Sequence, residues 1–237
     1  MLQFQSIPVV VKNLLIINVL GLLGSMALGE QFDLLFAGHY FKSEFFRPWQ
    51  IVTHMFMHAN LMHLFFNMFA LFMFGTALEQ YWGPKRFLIY YMVTGIGAFF
   101  LHFLVIHFQI NALMGSMSQE AIDQVFLMGG EAIEGGQNYV DPDLRQLNQF
   151  LNGGVVGASG AVFGILLGFG MLFPNTRLML LFPPIPIKAK IFVLLYGGIE
   201  LMLALQNSPG DNVAHFAHLG GMLFGYLLLK YWQKSSY

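Results

Sequence analysis

The chain has 237 residues, 57% of them apolar and only 10% charged, against roughly 25% charged in soluble domains. A formal net charge of −1 leaves no basic patch to neutralise nucleic-acid phosphates. The absence of cysteine excludes disulfides, thiol catalysis and cysteine metal sites.

A helix that crosses roughly 30 Å of hydrocarbon needs about 20 mostly apolar residues. Six segments approach that description, at about 11–29, 61–80, 87–108, 157–173, 188–206 and 213–231. The expected fold is therefore an all-α polytopic membrane protein, a six-helix bundle formed by residues 1–237 as a single domain. Only Lys12 precedes the first apolar run, which continues to Leu28 without a small-x-small cleavage site, so it reads as a retained helix. Glu30 to Asn60 mixes charges and aromatics around an Arg47-Pro48-Trp49 step and reads as an interfacial first loop. The second span carries His63 and Asn67, four residues apart and hence on one helical face. After the third span comes the longest polar stretch, 109–152, whose SQEAIDQVF and DPDLRQLNQFL runs read as short surface helices. Asp141-Pro142 has the pattern of a helix start, with Asp as cap and Pro in the first turn. The fourth span opens with Gly157-Ala158-Ser159-Gly160, the fifth contains Glu200, and the sixth carries His215, His218, Gly221 and Gly225.

Lysine and arginine set the orientation of such a bundle. Six spans place both termini on one side with Lys12, Lys85, Arg86, Arg177, Lys188, Lys190, Lys230 and Lys234, leaving Lys42, Arg47 and Arg145 opposite. Eight against three makes the termini side cytoplasmic.

Polar side chains inside hydrocarbon are costly and mark function. A lone serine in a membrane helix usually bonds its own backbone or packs an interface. Ser159, however, sits between Gly157 and Gly160, with Gly164 and Gly168 continuing a small face, and Gly221 and Gly225 make a second such face below His218. The two faces are expected to bring the fourth and sixth helices close enough for a hydroxyl–imidazole hydrogen bond. Free N–H groups at the N-terminal end of the fourth helix would steady a developing oxyanion.

GASGAVFG, with AHFAHLGGMLFG downstream and HMFMHANLMHLFFNM upstream, resembles the rhomboid family of intramembrane serine proteases, in its bacterial form with a six-helix core. The resemblance runs from about residue 45 to 230 and leaves the 109–152 loop uncovered. It implies Ser159 as nucleophile and His218 as general base, a pair with no acid behind the imidazole. It further implies an oxyanion hole from His63, Asn67 and the Ser159 N–H. The family's aromatic four residues after the serine is Phe163, which can pack on His218 but cannot donate a hydrogen bond; Arg47 and Trp49 read as scaffold. Its substrates would be transmembrane segments of other membrane proteins, cut within the bilayer without a cofactor. The membrane would be a bacterial plasma membrane.

Two other classes compete. A non-catalytic rhomboid-like protein would hold transmembrane helices for quality control, but it predicts loss of the serine or histidine. A small transporter would favour inverted repeats, and none is visible. No metal is expected: there is no HExxH, and the span carboxylates Glu79 and Glu200 stand apart in sequence from the histidine segments. His54, His58 and His215 are expected to pin the first loop, His39, His102 and His107 to lie at the surface or the membrane interface, and Glu79 to cap a loop; Glu200 receives no role.

Overall fold

The computed structural model describes residues 7–179, 185–206 and 214–235, whose regular elements are helices apart from one two-stranded ribbon. The first apolar run forms α1 (Val9–Leu28), followed directly by α2 (Glu30–Phe36). The first loop then folds back to α3 (Gln50–Thr53) and a tight turn at His54–Phe56. Buried Gln50 organises this loop. Its Nε2 donates to the carbonyls of Leu34 and Phe45 at 3.0 and 2.9 Å, and its Oε1 accepts the Arg47 N–H at 3.1 Å. Trp49 adds a bond from Nε1 to the Leu35 carbonyl at 2.9 Å.

Gln50 thus does the work expected of the histidines. His54 Nδ1 lies 2.8 Å from the Gln50 carbonyl one turn back, His58 packs edge-on against His63, and His215 contacts Glu200. His39 is buried, with Nδ1 3.1 Å from the Ala37 carbonyl, and is not a surface residue.

α4 (Leu61–Trp82) starts at Asn60, whose Oδ1 accepts the His63 N–H at 2.9 Å. One wide π turn, Leu71–Gly75, interrupts it. Near its end the Glu79 carboxylate accepts the Val10 and Val11 N–H groups at 2.9 and 2.8 Å, capping α1 where the helix dipole favours a negative charge. Gly83, at φ 79°, reverses the chain, and Pro84 fills a first-turn position that needs no N–H.

α5 (Pro84–Met114) is longer than the 87–108 span read from hydropathy. Its 31 residues measure about 46 Å, so its last turns run past one hydrocarbon thickness. There Phe103 and Ile110 share a core with Tyr40, Val125, Leu147 and Leu151. The last three belong to α6 (Gln119–Glu134) and α7 (Pro142–Asn152), the two helices of the long polar segment. Asp141 Oδ1 caps α7 by accepting the Asp143 and Leu144 N–H groups, both at 3.0 Å. The pair docks on the first loop through Ser43 Oγ to Asn152 Oδ1 at 2.9 Å, next to a backbone bridge between Gly38 and Val155.

α8 (Ser159–Leu172) is apolar on every side and buried on nearly every side, as an all-round apolar helix must be. β1 (Arg177–Met179) and β2 (Pro186–Lys188) form an antiparallel ribbon leading to α9 (Ala189–Gln206). α10 (His215–Ser235) closes the bundle against α5 and α8. α1, α4, α5 and α9 are long and apolar enough to cross a membrane, and α8 is a shorter apolar helix between them. The chain is an all-α membrane bundle.

Candidate active site

Ser159 is the first residue of α8, and His218 stands one turn into α10. The two helices meet backbone to backbone, since a Cβ on Gly221 would collide with the Gly160 carbonyl. That approach places His218 Nε2 2.9 Å from Ser159 Oγ. Phe163, one turn along α8, stacks on the imidazole with centroids 4.2 Å apart and planes 7° from parallel. The other glycines serve a different neighbour than expected. Gly164 packs on Thr94 and Gly168 on Tyr90, while Gly225 meets Tyr90 from the far side. The small faces therefore seat α8 and α10 on α5 as much as on each other.

His63 comes to the same place from α4, with Asn67 one turn further along the helix. A methyl group on Gly157 would sit 2.9 Å from His63 Nε2 and 3.5 Å from Ser159 Oγ, so the imidazole edge and the hydroxyl flank one small residue. Gly157 makes this possible with a φ of 131°. Asn67 is buried and donates one amide hydrogen to the His63 carbonyl at 2.9 Å, leaving a second hydrogen on the same nitrogen. Around the site, burial pushes the imidazoles of His54 and His58 down to about 4, and the His39 imidazole down as well, so this shell is uncharged at neutral pH.

The His218 imidazole is not without an acid. Glu200 of α9 is buried, and its Oε2 lies 2.8 Å from His218 Nδ1 and 2.6 Å from His215 Nδ1. This corrects both the expected bare pair and the expected separation of Glu200 from the histidines. The buried residues of α9 are Ala189, Val193, Glu200 and Ala204, a helical stripe of small residues with Glu200 on it. Glu200, His215 and His218 also present one ligand atom each within 4.8 Å of one another, a donor set of the kind zinc takes.

The Rhomboid domain model matches residues 46–234. The chain belongs to the rhomboid family. A mitochondrial rhomboid protein of Schizosaccharomyces pombe, named as uncharacterized, is 30% identical over 80% of this chain and 53% of its own length. Rhomboid protein 1 of Saccharomyces cerevisiae, also mitochondrial, is 28% identical over 78% of this chain and 42% of its own. The rhomboid protease GluP of Bacillus subtilis is 42% identical over 20% of this chain and 10% of its own. The chain thus spans about half the length of the first of these relatives. The two mitochondrial relatives lend no support to the expected bacterial plasma membrane; what stands is an integral membrane protein of the rhomboid family.

Chemically, the cluster offers a hydroxyl paired with an imidazole at the N-terminal end of a buried helix. The first-turn N–H groups of such a helix have no acceptor in their own ladder and can meet an anion.

Proposed function

We propose that this rhomboid is an intramembrane serine endopeptidase that hydrolyses peptide bonds in or near transmembrane helices of other membrane proteins. The observation that carries the reading is the 2.9 Å approach of His218 Nε2 to Ser159 Oγ. Ser159 Oγ attacks the scissile carbonyl while its proton passes to His218 Nε2. The carbonyl oxygen becomes an oxyanion held by His63, the free Asn67 amide hydrogen and the Ser159 N–H. Loss of one such donor typically costs about 3–4 kcal/mol of transition-state stabilisation. The proton on Nε2 then leaves with the amine product, and water releases the acyl group by the same route in reverse. Gly157 and Gly160 let the reacting groups approach, Phe163 holds the imidazole plane, and Gly221 and Gly225 seat α10.

A helical substrate keeps its carbonyls bonded internally, so the chain is expected to prefer targets with Gly or Pro near the cut, where unwinding is cheap. The lysine and arginine distribution supports cytoplasmic termini, with Ser159 toward the opposite face.

The test is cleavage of a reporter with one transmembrane helix by purified protein, with Ser159→Ala and His218→Ala alongside. Both folded variants are expected to be silent. Variants that cut as fast as wild type would place the chemistry elsewhere, and folded protein that binds reporter helices without cutting any would favour a helix-holding role.

A further inference from the structure

We propose that Glu200 is a positioning residue for His218, so that the working unit is Ser159–His218–Glu200 with His215 as the second partner of the carboxylate. This rests on the protease reading above. A neutral imidazole can accept the serine proton at Nε2 only if its own hydrogen is on Nδ1. Nδ1 faces Glu200 Oε2 at 2.8 Å, and an ionised carboxylate, which can only accept, selects that tautomer. The same charge compensates the imidazolium that forms when the Ser159 proton arrives; Oγ–H breaks, Nε2–H forms, and the Nδ1 hydrogen and the carboxylate keep their states.

The burial of Glu200 points the same way. A carboxylate inside a span is costly unless its oxygens are occupied, and here one oxygen serves two imidazoles, His215 at 2.6 Å and His218 at 2.8 Å. His215 is not the sole partner of that oxygen. His218 is held on three sides: Glu200 at Nδ1, Ser159 at Nε2 and Phe163 on its face at 4.2 Å. The remaining titratable groups near His218 are His215 on its own helix, His63 on α4, His102 on α5 and Tyr196 beside Glu200 on α9.

The experiment compares kcat and KM for reporter cleavage in wild type, Glu200→Gln, Glu200→Asp and Ser159→Ala, all purified as the full chain in lipid. Glu200→Gln is expected to lower kcat by about 100-fold or more, with KM little changed. Glu200→Asp, which keeps the charge, should recover part of the loss. Nitrogen-labelled histidine spectra of wild type, recorded with a chelator present, should show His218 protonated on Nδ1 with a far-downfield hydrogen. That readout needs no variant to fold. Wild-type kcat in both Glu200 variants while Ser159→Ala is silent would overturn the positioning role alone. So would a wild-type spectrum with the His218 hydrogen on Nε2. Ser159→Ala cutting at the wild-type rate would remove the protease reading and this inference with it.

Discussion

Gly157 shows how narrow the tolerances are at the level of single residues. A side chain there would need a backbone φ of 131°, which costs a non-glycine residue roughly 1–3 kcal/mol, and would also press on the His63 ring. Gly157→Ala is therefore expected to slow reporter cleavage at least about tenfold, because His63 must move from the position where an oxyanion forms. Rates measured beside a thermal unfolding midpoint separate the two effects; full activity in a folded variant would mean His63 plays no part. Ser159, His218, His63 and Asn67 were legible in sequence because each sits in a short motif, where spacing along one helix fixes its face. Glu200 was not. Its partners lie on another helix, and α9 is apolar almost all round, so its rotation toward α10 follows from packing rather than from a polar face.

Among the elements, the first loop and its histidines have the clearest solution consequence. His54 and His58 are buried with imidazoles pushed down from 6.5 to about 4. Unfolded, each takes a proton near pH 6.5, while the folded protein declines it until about pH 4. Stability from these groups is therefore complete above the unfolded value and is lost as pH falls toward the folded one, by roughly 3 kcal/mol for each histidine. Unfolding midpoints measured from pH 7 downward should fall across this window, and fall less in a His54→Gln variant. A flat profile in wild type would show that the two imidazoles gain protons without penalty. Sequence read this segment as an interfacial loop and gave its pinning to histidine. Gln50 was invisible because a single glutamine outside the apolar runs has no periodic signature, and its three carbonyl partners are backbone groups, two near the end of α2 and one in the loop after it.

On the scale of the whole molecule, hydropathy located the apolar runs well, since a membrane helix must satisfy its backbone internally wherever it forms. It was blind to depth. α8 has 14 residues and measures about 21 Å, less than the hydrocarbon thickness. The polar 109–152 stretch proved to be two docked helices, unreadable in detail because their partners are the first loop and the projecting end of α5. The wide turn at Leu71–Gly75 ties the two ends of the molecule together. A π turn is in effect one residue inserted into an α-helix, and each residue advances the helical phase by about 100°. α4 can thus bury Asn67 and aim Glu79 at the start of α1, two azimuths that an uninterrupted spiral through the same residues would set differently. By the same count, deleting one residue from Leu71–Gly75 should turn the wide turn into plain α-helix and leave both azimuths as they are. The unfolding midpoint, which reads the α1 cap, and reporter cleavage should both survive that deletion, and a fall in either would show that the two azimuths do not rest on one inserted residue.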